Sequence, residues 1–143
     1  MLGFVYRIAD SLRHTARKRL WAPDQATGRR GEDIAHRFLQ RAGIVVVCRN
    51  YRVATGAGEI DLVGWENDRL VFIEVKARQT GEYGAPDRAI GFEKKQSLLR
   101  AARDYARHAE APWEKVRFDV VNVLLGTPPR VTHFRDVMRT SGT

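Results

Sequence analysis

Two segments decide the fold: Gly58-Glu59-Ile60-Asp61-Leu62-Val63-Gly64 and Val71-Phe72-Ile73-Glu74-Val75-Lys76. Each alternates as a strand does, and Glu66-Asn67-Asp68 between them reads as a tight connection, so together they predict an antiparallel hairpin. Strand periodicity puts Glu59, Asp61 and Val63 on one face of the first segment and Ile60 and Leu62 on the other. In the second, Phe72, Glu74 and Lys76 share a face opposite Val71, Ile73 and Val75. Glu74 therefore interrupts an apolar run, and an acid there is expensive to bury unless it is paired or holds a cation. Asp61 on the neighbouring strand can lie close to it. Two carboxylates so placed repel each other, and one pKa rises unless a positive charge stands between them.

A divalent metal supplies such a charge, and oxygen ligands suit Mg2+ or Mn2+. Lys76, two residues beyond Glu74 on the same face, points at the same place. The structural alternative is a salt-bridge cluster in which Lys76 neutralises Asp61 and Glu74. An acid, twelve residues, then Glu-x-Lys, all on strands, is the arrangement that metal-dependent nucleases use. There the carboxylates hold the metal, which activates a water and takes charge off the scissile phosphate.

The chain of 143 residues has the length of one domain, and no apolar run in it approaches a membrane span. Cys48 is the only cysteine, so no internal disulfide forms and a reducing, cytoplasmic setting fits. Its place after Val45-Val46-Val47 predicts a core thiol. The net charge of +8 favours polyanionic partners. Residues 1–30 hold seven basic residues against two acids, and residues 31–143 eighteen against fifteen. Most of the excess therefore lies in the N-terminal arm.

That arm, residues 2–20, has the pattern of a basic amphipathic helix, with Val5, Ile8, Leu12 and Ala16 on one face. It could pack on the domain, contact nucleic acid or lie on a membrane surface. Trp21 to Asp24 predicts a break and Gln25 to Arg30 a linker, which divides the chain into residues 1–27 and a domain over 28–143. Gly31 to Ala42 predicts a helix with Ile34, Ala35, Phe38 and Leu39 inward, ended by Gly43. Glu32 at its start fits a first-turn acid favoured by the helix dipole, or a third carboxylate reaching the hairpin.

Ile44 to Val53 predicts a strand, and Arg49, Asn50, Tyr51 and Arg52 on it could contact phosphates or face water. Beyond Lys76, Arg78 and a polar loop over 79–87 that contains Tyr83 are candidate phosphate and base contacts. A helix over 89–108 should bury Phe92, Leu98, Leu99, Ala102 and Ala106. Lys95 borders that face and could reach the site with Gln96 beside it, or could simply snorkel. Asp119, inside the strand from Val116 to Leu125, calls for a structural partner such as an arginine. Val131 to Phe134 predicts a last short strand.

The order helix, three strands, helix, strand, with Asp and Glu-x-Lys on the middle hairpin, resembles the restriction-endonuclease-like fold shared with archaeal Holliday-junction resolvases. More narrowly, the chain resembles the bacterial YraN family of predicted endonucleases. That likeness rests on Gly31-Glu32, Asn50-Tyr51-Arg52, Gly58 to Val63, Phe72 to Arg78, Tyr83-Gly84, Lys95-Gln96 and Arg117 to Val121. It spans residues 28 to about 137, which leaves the first 27 outside it. The resemblance implies an α/β domain with a central mixed sheet flanked by helices. It also implies Glu32, Asp61, Glu74 and Lys76 as the catalytic set, with Lys95 and Gln96 auxiliary.

The function expected from residues and resemblance together is Mg2+- or Mn2+-dependent endonucleolytic hydrolysis of DNA, branched or recombining forms included. Asp61, Glu74 and Glu32 would serve the metal. Arg49, Arg52, Arg78, Tyr83, Lys95 and Gln96 would hold the nucleic acid. The alternatives are a non-catalytic nucleic-acid-binding protein and a membrane-surface adaptor working through residues 2–20. A resolvase making paired cuts would need a symmetric homodimer, for which the sequence carries no signature.

Overall fold

The computed structural model describes residues 22–79 and 85–138. The expected helix over 2–20 and Tyr83 lie outside the described residues. Helix α1 (Ala22–Arg41) is followed by strands β1 (Val45–Arg52), β2 (Glu59–Glu66) and β3 (Arg69–Gln79). Helix α2 (Phe92–His108), a 3-10 turn (Trp113–Lys115), and strands β4 (Val116–Leu125) and β5 (Arg130–Phe134) complete it. The five strands lie in sequence order in one sheet. All neighbours are antiparallel except β3 and β4, because α2 forms the crossover that a parallel pair needs. This is the α/β, restriction-endonuclease-like architecture that the resemblance implied.

The hairpin forms where it was expected. β2 and β3 pair from Glu66↔Arg69 to Leu62↔Ile73, and Asn67 in the turn takes φ 55°, a left-handed conformation that asparagine tolerates. α1 covers one face of the sheet, burying Ala35 and Leu39 against Leu62, Val71, Ile73 and Val121. α2 covers the other, burying Leu98, Ala101 and Ala102 against Ile60, Phe72 and Phe118. Gly43 (φ 93°) ends α1, and the Ile44 N–H donates to the Leu39 carbonyl at 2.9 Å. That six-to-one bond, together with the shared core position of Leu39 and Ile44, is a Schellman stop. Cys48 is buried in the α2-side core as expected.

Three expectations need correction. The linker at Gln25 to Arg30 is helical, because α1 begins at Ala22 and runs without a break through 27/28. Pro23 falls in the first turn, where a missing N–H costs no hydrogen bond. Phe92 does not face inward: as the first residue of α2 it is 76% exposed. Ile60 and Leu62 do not share a face, since Ile60 joins the α2-side core and Leu62 the α1-side core.

Asp119 has the partner its position demanded. Arg117 donates to both its oxygens (2.9 and 3.0 Å), His133 Nε2 lies 2.8 Å from Oδ2, and the Asp136 N–H donates at 3.0 Å. Burial alone would push the Asp119 carboxyl up; the bonds from His133, Arg117 and Asp136 outweigh it and hold it low. Arg117 and Arg135 both reach Glu66, which ties β5 and the chain after it to the turn end of the hairpin.

α1 lies close against the sheet at Gly31. A Cβ there would lie 2.4 Å from Ala77 Cβ on β3, well inside contact distance. The missing side chain therefore sets the depth at which Glu32 arrives. Gly31→Ala should destabilise the domain by about 1 kcal/mol, because overpacking of about 1–3 kcal/mol exceeds the helix-propensity gain of about 1 kcal/mol. Adding Ala77→Gly should recover stability, giving a coupling of at least about 1 kcal/mol in a denaturation double-mutant cycle. Strict additivity would mean that the two residues do not set the approach.

Candidate active site

The regular β2–β3 ladder ends at Leu62↔Ile73, whereas β3 stays paired with β4 from Leu70 through Gln79. Beyond that end, the Val75 N–H donates to Asp61 Oδ2 at 2.9 Å. A carboxylate thus takes the place of a strand partner, and the hairpin opens beside it. The change of face between Ile60 and Leu62 falls at Asp61. Its neighbour across β1 is Asn50, between the pairs Tyr51↔Ile60 and Arg49↔Leu62. Asn50 takes φ 52°, so β1 is irregular opposite the position at which the alternation of β2 fails.

The opening is a cleft of about 320 Å3 lined by Glu32 of α1, Glu59 and Asp61 of β2, Glu74 and Lys76 of β3, and Lys94 of α2. Glu74 turns a buried oxygen into it: Oε2 accepts no hydrogen bond among the described residues. Lys94 Nζ lies 3.5 Å from that oxygen and 3.5 Å from Glu59 Oε1. Burial first and the Asp61 charge second push the Glu74 carboxyl up to about 8, against the pull of Lys94. Burial alone would lower Lys94; the carboxylates of Glu74, Asp61 and Glu59 more than compensate and raise it.

The four residues implied as the catalytic set all line this cleft, but their partners differ from expectation. The Lys76 ammonium donates to the Ala89 carbonyl and lies 3.7 Å from Asp87; the cation beside Glu74 is Lys94. Glu32 is buried at 7% exposure. Its Oε2 accepts from Asn50 Nδ2 at 3.2 Å and lies 3.5 Å from Arg49. Arg49 also pairs with Asp33 at 2.8 Å. Arg52 is forked onto Glu59 at 2.7 and 3.1 Å. The polar cluster on β1 thus orients acids of the site. Arg78 donates to the Ala85 carbonyl at 3.2 Å. Lys95 and Gln96 do not line the cleft.

Two cleft residues escaped sequence reasoning. Lys94 precedes the buried Leu98 by four residues and Ala101 by seven, and Lys95 precedes Leu98 by three and Ala102 by seven, so helical phase does not separate the two lysines. Glu59 shares the alternating face of Asp61, the same signal that singled out its neighbour.

The donor set fits a hard divalent cation. Mg2+ is commonly held by one or two carboxylates, with waters and substrate phosphates completing its shell. Asp61 and Glu74 supply two, and Glu74 Oε2, with the Lys94 ammonium at 3.5 Å, accepts no hydrogen bond among the described residues. Among the described residues no three His, Cys, Asp or Glu side chains group closely enough to bind a metal. Glu32 lines the same cleft from the α1 side.

Glu74 also couples the site to stability. Its proton leaves near 4.5 in an ordinary environment and at about 8 in the folded chain. Between those values the native state holds more protons than the unfolded one, so stability falls as pH rises. Glu74→Gln removes this dependence. In chelator, the variant should gain on the order of 2 kcal/mol over the wild type at about pH 8 relative to about pH 5. Equal differences at both pH values, followed by thermal melts, would show that Glu74 is already ionised at no cost.

Comparison with known proteins places the chain. Residues 31–123 match the uncharacterised protein family UPF0102. A UPF0102 protein of Solibacter usitatus (strain Ellin6076) is 47% identical over 135 residues, covering 94% of this chain and 98% of its own length. Most of residues 1–27 is therefore shared with that relative and not peculiar to this chain. A UPF0102 protein of Rhodococcus opacus (strain B4) is 40% identical over 117 residues, covering 80% of this chain and 98% of its own. A third, from Dictyoglomus turgidum, is 33% identical over 107 residues. The chain belongs to the uncharacterised protein family UPF0102, which is the YraN family.

Proposed function

We propose that the protein is a metal-dependent endonuclease that hydrolyses DNA phosphodiester bonds, branched or recombining DNA included. The observation that carries this reading is the buried Glu74 Oε2 beside Asp61, which accepts no hydrogen bond among the described residues, in an open cleft walled by two lysines. For a purely structural carboxylate this arrangement is unfavourable, since a buried charge is costly without a full set of partners. For a site that has to receive a cation and a phosphate it is the required state.

Asp61, Glu74 and the Val75 carbonyl would hold Mg2+ or Mn2+, which when bound supplies an activated water and neutralises charge on the scissile phosphate. The Val75 N–H fixes the Asp61 carboxylate in place. Lys94, set between Glu74 and Glu59, holds positive charge where the phosphate arrives and stabilises the developing negative charge. Lys76, at the cleft mouth, orients the attacking water. Glu32, fixed by Asn50 and Arg49, accepts a hydrogen bond from solvent on the α1 side.

A non-catalytic nucleic-acid-binding role is the second reading. One observation favours it: Lys94 already offers Glu74 and Glu59 a counter-charge, so the acids have a partial structural solution. The membrane-surface alternative rests on residues outside those described. No described helix is long and apolar enough to cross a membrane.

Purified protein should nick or cut plasmid, flap or four-way-junction DNA in Mg2+ or Mn2+. Asp61→Asn and Glu74→Gln should each lower the rate at least about a hundred-fold while DNA binding, read by fluorescence anisotropy, persists. Undiminished cleavage by either variant would remove the cleft from the mechanism. Binding with no cleavage of any form by the wild type would favour the second reading.

A further inference from the structure

A second concavity, of about 410 Å3, lies between α1 and the turn from β4 to β5. Ile34 and Phe38 of α1, with Pro128, Pro129 and Val131, line it with apolar atoms; Arg37 and Arg41 are the only polar side chains that do. It shares no lining residue with the Asp61–Glu74 cleft. Its walls are fixed from within the fold. Ile34 is buried, and Phe38 and Val131 pack against the α1-side core. The Phe38 ring also meets His133 edge-on at 6.1 Å. A preformed apolar hollow with a few polar groups at its side has the make-up of a binding site.

The charges select the occupant. Arg37 and Arg41 stand four residues apart on a helix, so they are neighbours on one face, where like charges repel. Both are exposed and form no ion pair among the described residues. The nearest acids before them are engaged elsewhere: Asp33 by Arg49 at 2.8 Å, and Glu32 by Asn50 and Arg49. No acid occurs over residues 34–58 or 120–135, which include every residue that lines the hollow. A surface that served stability alone would interleave an acid with these arginines. The ligand that answers the arrangement is anionic beside the arginines and apolar next to them. An inorganic anion or a nucleic-acid backbone would meet the arginines and leave the apolar lining wet. A peptide that carries carboxylates around a large apolar side chain satisfies both, because a guanidinium takes a carboxylate in a two-pronged grip and a buried apolar anchor excludes water. This chain does not supply such a segment. Residues 1–21 hold five basic residues against one acid, residues 139–143 hold no acid, and a second copy brings a net charge of +8.

We propose that the groove between α1 and the β4–β5 turn docks an acidic peptide segment of a partner protein, its large apolar side chain against Phe38 and Pro129 and its carboxylates on Arg37 and Arg41. The groove is a recruitment site separate from the cleft, so the inference goes beyond the nuclease reading and does not depend on it.

Random peptides displayed on phage, selected on the full chain and counter-selected on the double variant Arg37→Glu, Arg41→Glu, should yield sequences that combine Asp or Glu with a large apolar residue. One of these, fluorescein-labelled, should bind the wild type in fluorescence anisotropy. Arg37→Ala and Arg41→Ala should each weaken it at least about ten-fold, with thermal melts unchanged because both side chains are exposed. Val131→Trp, which fills the groove at constant charge, should weaken it as well, so that a purely long-range charge effect is told apart from docking. Selection of no peptide, selected peptides without acids, or equal binding by the arginine variants would each overturn the proposal. Blunt duplex DNA that Arg37→Ala and Arg41→Ala weaken ten-fold, with no peptide selected, would overturn it in favour of nucleic acid on this face. Absence of DNA cleavage in a separate assay would count against the nuclease reading alone.

Discussion

A backbone N–H inside a sheet has to be paired, and Val75 is paired with a carboxylate oxygen of Asp61 instead of a strand carbonyl. Much of the site follows from that substitution. Because Asp61 closes the ladder, β2 can leave β3 without stranding a buried donor. Because β3 remains paired with β4 throughout, the opening forms on one side only and stays rigid on the other. Glu74 is left facing a gap that water or an ion can enter, while its own strand is anchored by an almost wholly buried neighbour, β4.

The two ends of the sheet handle charge in opposite ways. At the turn end, Asp119 has a guanidinium, an imidazole and a backbone N–H around it, and Glu66 is shared by Arg117 and Arg135. Both acids there have geometrically good partners, and the Asp119 carboxyl is held low. At the open end Glu74 has one lysine at 3.5 Å, a like charge nearby and an oxygen with no hydrogen bond, and its carboxyl is pushed up to about 8. Asp119 and Glu74 both interrupt apolar strand runs. Their surroundings separate a structural acid from a candidate functional one.

The helices deliver side chains to the open end through close backbone approach. Gly31 lets α1 settle on Ala77, and Gly58 lets the β1–β2 turn meet α2, where a Cβ would lie 2.4 Å from the Ser97 carbonyl. The first approach brings Glu32 into the cleft. The second sits beside the Glu59 N–H and the Ser97 hydroxyl, 3.3 Å apart, and keeps Lys94 over the acids. Both glycines fall in segments that carry the family likeness, and in each case the physical requirement is the absence of a side chain.

Alternation along the strands, the helical stripe from Ile34 to Leu39, the Gly43 stop and the buried arginine partner of Asp119 were all legible in the sequence. Each depends on residues a few positions apart or on the cost of burying one group. So was the meeting of Asp61 and Glu74, because a two-residue turn sets the register of the whole hairpin. The sequence could not show the slip at Asp61, which lies opposite the irregular backbone of Asn50 on β1. It could not show that Lys94 and not Lys76 faces Glu74, or that Arg49 and Arg52 are held by acids. It also misplaced Phe92, since hydrophobicity predicts burial only where another element arrives to cover the ring. Periodicity says which face a residue occupies; which charge stands opposite it depends on how far helices slide over the sheet, and packing between segments distant in sequence decides that.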